Sequence, residues 1–317
     1  MAATRDRTTE QPTRGQRRSV ASFRIARVAG IDIRVHLSFL ILVALFVVAA
    51  PDPGVGSALL SVAWLLAIFG CVVVHEFAHS LMARSRGVGV HEILLLPLGG
   101  VSKMERLPDR PRDEFAIAVV GPLASYGLAG VAAVACVLAG RSLLPIDLID
   151  GAWLAKLAWL NLMLGTFNLI PAFPLDGGRV FRSLLERTHD LESATRIATR
   201  VGHAFAGALM IVGFLFDVWL MLIGAFIYFG ASAEQAATIV HIRLEGHRVA
   251  DAMRTDLDRV TRGPWVTETP LAPDEALDDG VFARLAASPG HELPVHRADQ
   301  LVGILRFEDV QRLIQTS

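Results

Sequence analysis

The chain has 317 residues, of which 53% are hydrophobic and 19% charged, and its mean hydropathy is +0.47. This composition marks a membrane protein rather than a soluble globule, with a long apolar body and a charged C-terminal end. A formal net charge of −1 selects no partner by charge and gives no reason to expect nucleic acid. The two cysteines, Cys71 and Cys136, fall in apolar stretches and offer neither a disulfide framework nor a CxxC pair.

In chain order, residues 1–28 are polar and basic, with Arg14, Arg17, Arg18, Arg24 and Arg27 ahead of any apolar run. They read as a disordered cytosolic lead. Val48-Ala49-Ala50 is a weak candidate for a signal cleavage site, and the segment is taken as a retained anchor. Apolar spans follow at about 36–50, 57–83, 115–139 and 153–170. Each approximates the ~20 residues a crossing helix needs, although the first is short. The stretch 201–231 is too long for one span, and Asp217 near its middle predicts two short helices meeting at a turn. Six spans result.

Charge placement supports six. Apart from Arg141, the basic residues outside the spans fall in the lead, the 84–112 loop, the 179–200 loop and the tail. With six spans these regions share one side, which the positive-inside rule makes the cytosol. The expectation is a multi-pass protein of the cell membrane with both termini cytosolic.

The second span carries His75-Glu76-Phe77-Ala78-His79. On a helix the two histidines are four residues apart on one face, where their ring nitrogens can share a zinc ion, and Glu76 can take a proton from a water that zinc acidifies. In hydrocarbon, two histidines and a carboxylate cost several kcal/mol unless paired or ligated, so the polar set reads as functional. His79 and His75 lie five and nine residues before Arg84, roughly 8 to 13 Å inside the cytosolic boundary at ~1.5 Å per residue. Water must then enter from the cytosol.

Zinc held by two histidines needs a third protein ligand. The fourth span ends in Asn168-Leu169-Ile170-Pro171-Ala172-Phe173-Pro174-Leu175-Asp176-Gly177-Gly178-Arg179, which sets one carboxylate where two prolines break a helix. By itself Asp176 reads equally as a turn residue before Gly-Gly. Its depth, matched to that of His75 and His79, favours ligation.

This pair of motifs resembles the site-2 protease family of intramembrane zinc metalloproteases, over about residues 25–315. The resemblance implies one Zn2+ per chain held by His75, His79 and Asp176, Glu76 as general base, and Asn168 as a contact for substrate backbone or the developing oxyanion. It also implies single-span membrane proteins in the lipid bilayer as substrates, anti-sigma factors among the plausible ones. Between the second and third spans, residues 91–103 are apolar but too short to cross. Two β-prone arms around Pro97 to Gly100 read as a hairpin dipping into the membrane. In the resembled family such an element lies beside the active site and pairs with unwound substrate, which makes Gly99 and Gly100 candidate substrate contacts.

Other features receive structural readings. The segment 119–125, with Gly127 and Gly130, supplies small residues for close helix packing. Cys71, one turn before His75, reads as a small buried side chain, and His203 as an interfacial residue. Surface roles suffice for His189, His241, His247, His291 and His296.

After Ala231 the composition becomes charged, like ordinary soluble sequence. Val249-Ala250-Asp251-Ala252-Met253, a helix over 273–287, strands at Glu292-Leu293-Pro294-Val295 and Leu301-Val302-Gly303-Ile304-Leu305, and a final helix resemble a single CBS motif. A lone copy implies a homodimer formed through the tail. Arg306 stands where the nucleotide-binding pattern carries Ser or Thr three residues before Asp309, which argues against nucleotide binding. The expected fold is an all-α polytopic membrane protein of about six transmembrane helices with a re-entrant β-hairpin, plus a small α/β CBS-like C-terminal domain. Its boundaries are 1–28 for the lead, 29–235 for the metalloprotease domain and 236–317 for the tail. The alternatives are a catalytically inactive metal-binding scaffold or a metal transporter. Transport would favour ligands repeated along a path, and it has no special use for Glu76 directly after the first ligand.

Overall fold

The structure, a computed structural model, describes residues 22–48, 54–97, 99–104, 108, 110–147, 151–255, 269–298 and 300–316. The lead up to residue 21 and positions 49 and 50 of the cleavage-site candidate lie outside these. Four helices are long and apolar enough to cross a membrane: α2 (Val55–Ser85), α3 (Pro111–Leu138), α6 (Leu191–Phe216) and α7 (Val218–Leu244). Two shorter helices, α1 (Phe39–Val48) and α4 (Trp153–Asn168), occupy the first and fourth expected spans, and α5 (Asp176–Leu185) follows the proline-broken segment. Large apolar side chains such as Phe214, Phe216, Trp219 and Phe229 point outward from α6 and α7. Such a surface needs lipid rather than water around it.

The first correction concerns the all-α expectation and the lead. Residues from Ser22 onward form a strand, β1 (Ser22–Val28), which turns through Ala29 and Gly30 into β2 (Ile31–His36). Both turn residues have positive φ, 50° and 79°, as a tight hairpin turn demands. With β3 (Val90–Leu96) and β4 (Gly99–Met104) they make one four-stranded sheet in the order β1-β2-β3-β4, antiparallel, parallel, antiparallel. Alternation decides its faces. Ile31, Ile33 and Val35 on β2, with Ile93 and Leu95 on β3, bury against Phe39, Leu65 and Phe69 of α1 and α2. The opposite face carries charges, with Lys103 paired to Glu92 at 2.6 Å and Arg34 to the same carboxylate at 3.5 Å.

The second correction concerns the fifth stretch. Asp217 does separate two helices, but they are not short, with 26 and 27 residues. Asp190 starts α6 early by accepting a hydrogen bond from the Ser193 amide at 3.0 Å, and Asp217 starts α7 by accepting from the Trp219 amide at 2.8 Å. The two helices pack closely, and a Cβ on Gly213 would come within 2.2 Å of the Met221 backbone. α7 then runs past the apolar stretch, so that Leu244 joins the core of the tail with Val249, Leu271, Leu285 and Val295.

In the tail, the helix expected at 273–287 begins only at Asp279 (α9, Asp279–Ala287). Residues 271–277 instead bond to neighbouring backbone, Leu271 with Pro294 and His296, and Leu277 with His247. The tail also contains α8 (Val249–Ala252), a 3-10 turn at Pro289–His291, the antiparallel pair β5 (Glu292–Arg297) and β6 (Gln300–Arg306), and α10 (Phe307–Thr316). His241 does more than sit at a surface. Its Nδ1 meets Asp279 Oδ2 at 2.7 Å and ties α7 to α9.

Candidate metal centre and active site

The unbroken apolar run of α2 carries His75 and His79 on one face, and both are buried, at 4% and 5% exposure. Across from them the chain leaves α4 at Asn168, crosses the proline-containing segment, and re-enters a helix at Asp176. That re-entry depends on two glycines. A Cβ on Gly177 would lie 2.2 Å from the Ile170 carbonyl oxygen, and one on Gly178 would lie 2.6 Å from the Phe173 nitrogen. The first turn of α5 therefore lies flat on the preceding segment and points Asp176 at the histidines. Asp176 Oδ2 is 3.1 Å from His75 Nε2 and 3.2 Å from His79 Nε2, and the two Nε2 atoms are 3.1 Å apart.

Three lone-pair donors this close repel one another unless a cation or proton lies between them. Two ligands at ~2.0 Å from a tetrahedral zinc are roughly 3.3 Å apart, so the triangle has the dimensions of three corners of a zinc site. The donor chemistry agrees, being two imidazoles and one carboxylate. The outer nitrogens are also held. His79 Nδ1 lies 2.6 Å from the Ile117 carbonyl on α3. A carbonyl only accepts, so Nδ1 bears the hydrogen and Nε2 presents its lone pair. His75 Nδ1 is 2.9 Å from Ser125 Oγ, also on α3. Among the described residues, His75, His79 and Asp176 are the cluster of this kind.

Gly121 of α3 completes the back wall. A Cβ there would fall 2.1 Å from His79 Nε2 and 2.8 Å from His75 Nε2. The packing reading of 119–125 thus understated this segment, since Gly121 leaves the space between the ring nitrogens and Ser125 holds a ring. In the sequence both look like ordinary small residues of a packing face.

Glu76 lines a cavity of about 630 Å³ that it shares with His75, Gly99, Gly100, Asn168 and Asp176, among others. Ser102 of β4 donates to Glu76 Oε2 at 2.7 Å and fixes its rotamer. A Cβ on Gly100 would lie 2.5 Å from Glu76 Cγ, and Gly99 adopts φ +142°, a region that L side chains rarely enter. Asn168 donates from Nδ2 to the Leu164 carbonyl at 3.0 Å, which uses one of its two amide hydrogens. All seven residues singled out in the sequence therefore meet at one place, with His79 behind the cavity wall. Cys71 and His203 do not join them. Cys71 Sγ lies 3.1 Å from Asn161 Nδ2, and His203 stacks on Tyr228 at 4.2 Å and meets Ser232 Oγ at 3.0 Å.

Sequence reasoning also missed a buried ionic layer below the centre. Arg182 of α5, 1% exposed, is held by Glu114 of α3, by Thr238 Oγ1 at 3.0 Å and by Glu234 at 3.5 Å on α7. Glu234 also pairs with Arg179 at 3.6 Å. The arrangement locks α5, and so Asp176, between α3 and α7. Nearby, Glu186 Oε1 is buried without a donor. Burial and the Glu114 carboxylate push the Glu186 carboxyl up to about 7, so near neutrality Glu186 is partly protonated.

The profile of peptidase family M50 matches residues 63–145 and 146–209. Zinc metalloprotease MJ0392 of Methanocaldococcus jannaschii is 34% identical over 236 residues, 73% of this chain and 66% of that protein. Putative zinc metalloprotease Rip3 of Mycobacterium tuberculosis is 38% identical over 248 residues, 72% and 62% of the two chains. The chain thus spans less than two thirds of the length of these curated relatives. Among solved structures, the site-2 protease from Methanocaldococcus jannaschii matches with 35% identity and a TM-score of 0.51, covering 68% of this chain and 95% of that one. The profile spans the part of the chain that builds the His75, His79 and Asp176 triangle, and the site-2 protease structure is matched over 95% of its length at 35% identity; on this basis the chain belongs to peptidase family M50, the site-2 protease family.

Proposed function

We propose that this protein is an intramembrane zinc metalloprotease that hydrolyses a peptide bond within or near the transmembrane segment of single-span membrane proteins. The observation that carries the reading is the triangle of His75, His79 and Asp176 with Glu76 in the cavity alongside. His75, His79 and Asp176 would hold a zinc ion, and bound there it would supply Lewis-acid polarisation of a peptide carbonyl and of a water molecule. Glu76, its Oε2 held by Ser102, offers Oε1 to accept the water's proton and later returns it to the leaving amine. Asn168, which also lines the cavity, keeps a second amide hydrogen for the developing oxyanion.

A transmembrane helix must unwind before its backbone reaches this point. β4 is the outer strand of the sheet, and its Gly99 and Gly100 line the cavity. Unwound substrate adds to that edge and satisfies its backbone there. Gly100 serves this role because no side chain fits between the strand and Glu76. For this the β3–β4 hairpin dips into the membrane to the depth of Glu76, roughly 12 Å from Arg84 along α2. Six crossings, by α1, α2, α3, α4, α6 and α7, keep the basic loops and both termini on the cytosolic side.

The tail, 236–317, is read as a CBS-like regulatory unit that dimerises with a second copy. Asp309 is already clamped by Arg254 at 2.6 and 2.8 Å, which supports dimerisation over nucleotide binding. Anti-sigma factors fit the substrate class. Comparison of membrane peptides in cells carrying wild-type or Glu76→Gln protein tests the function. Uncleaved single-span proteins should accumulate with Glu76→Gln, and identical peptide sets would refute the reading.

A further inference from the structure

A second cavity, of about 660 Å³, lies where the start of α3 meets the end of α5, lined by Arg110, Arg112, Phe115, Leu184 and Arg187 among others. Three guanidiniums line this one space. Among the described residues none of them has an acidic partner, and the two carboxylates in the first turn of α3 are engaged elsewhere. Asp113 pairs with Arg86 at 3.0 Å and Glu114 with buried Arg182. Arg110 is the residue before α3, where no side chain caps the helix, so the positive end of a 28-residue helix adds to the same field. The rim is different. Phe115 and Leu184 are exposed and apolar, and Phe115 continues into the outward apolar face of a membrane-crossing helix.

Basic groups above an exposed apolar rim at a helix end match one amphiphile: a phosphate with acyl chains attached. We infer that Arg110, Arg112 and Arg187 bind the phosphate of an anionic phospholipid headgroup, with its chains lying along Phe115 and Leu184. A soluble phosphate would have no use for the apolar rim. The site bridges α5, which carries Asp176, and α3, whose Ile117 carbonyl and Ser125 hydroxyl hold the outer nitrogens of His79 and His75 on α2. A bound headgroup therefore braces α3 against α5 from outside, in parallel with the buried Glu114–Arg182 pair.

The full chain in nanodiscs of equal phosphatidylcholine and phosphatidylglycerol, released for native mass spectrometry, tests this without requiring hydrolysis. Wild type should retain phosphatidylglycerol. The variant R110Q/R112Q/R187Q should bind it about a hundredfold more weakly, roughly 3 kcal/mol, the scale of three basic residues at a lipid surface. The control R200Q/R243Q/R297Q, with the same change in charge away from the cavity, should retain it. Arg187→Gln alone should lose about fivefold, and unchanged zinc content would show that each variant is folded. Equal retention by the cavity variant and wild type, or equal loss by the control, overturns the assignment. Displacement of the lipid by inorganic phosphate at matched concentration also overturns it, in favour of a soluble anion.

Discussion

A single methyl group on α3 should empty the metal centre. In Gly121→Ala the new Cβ falls 2.1 Å from His79 Nε2, 2.4 Å from His79 Cε1 and 2.8 Å from His75 Nε2. An ordinary contact between such atoms is about 3.5 Å, so the clash with His79 exceeds an ångström. Turning His79 away breaks its 2.6 Å bond to the Ile117 carbonyl and carries Nε2 off Asp176. Moving α3 outward breaks the Ser125 contact to His75 at 2.9 Å and strains the Glu114–Arg182 pair. Loss of one outer partner of a metal ligand costs about 10- to 100-fold in affinity, and here a ligand itself is displaced. Zinc affinity should fall by at least about a hundredfold, with hydrolysis lost alongside it. The helix should survive, because Ala is favoured over Gly in a helix interior by about 0.8–1.0 kcal/mol. Zinc per chain after dialysis against a zinc buffer, with competition by a chromogenic chelator, measures the effect. Gly127→Ala is the matched control, since nothing lies within 4 Å of a Cβ there, and it should keep its zinc. Wild-type zinc affinity and cleavage in Gly121→Ala would refute the reasoning.

Three further outcomes follow from the same geometry. Glu76→Gln should retain zinc and lose roughly 10²- to 10⁴-fold in cleavage rate, whereas Asp176→Ala should lose zinc; full cleavage by purified Glu76→Gln would contradict the assignment of the base. Arg182→Ala strands Glu114 in the interior and should lower stability by about 3–5 kcal/mol, while pairing Arg182→Met with Glu114→Gln should recover much of it, read from thermal unfolding in detergent. Because burial raises the Glu186 carboxyl from 4.5 to about 7, its contribution to stability is full below pH 4.5 and is lost as pH rises through about 7. The unscreened linkage would be about 3 kcal/mol, and solvent screening of this half-buried group leaves about 1 kcal/mol. Glu186→Gln should therefore match wild type at about pH 4 and exceed it at about pH 8, and parallel stability curves across that range would refute the raised Glu186 carboxyl.

Most of the candidate site is legible in the sequence. His75, Glu76 and His79 share a helix, and a four-residue spacing states their juxtaposition directly. Asp176 announces itself through prolines, glycines and matched depth. Other parts are legible but easily misread. The 22–36 segment alternates apolar and polar residues around Ala29-Gly30, a strand-turn-strand pattern, yet its arginines make it look like the end of a polar lead. The start of α6 is written in Asp190, which caps the helix ten residues before the apolar stretch begins.

Whatever depends on neighbours along the chain can be read from the residues in order: the apolar helices, the break at Asp217, and the chemistry of the metal-binding side chains. Whatever depends on atoms distant in sequence is settled only when the chain is folded. Gly121 and Ser125 are small residues in a packing segment until α3 is laid against α2, and only then does one become the empty space between two imidazoles and the other a partner of His75 Nδ1. Arg182 is an unremarked charge in a short helix until Glu114 and Glu234 close on it from α3 and α7. A local pattern encodes which face a residue presents, but not what waits opposite that face, because contacts between helices are set by the packing of the whole chain.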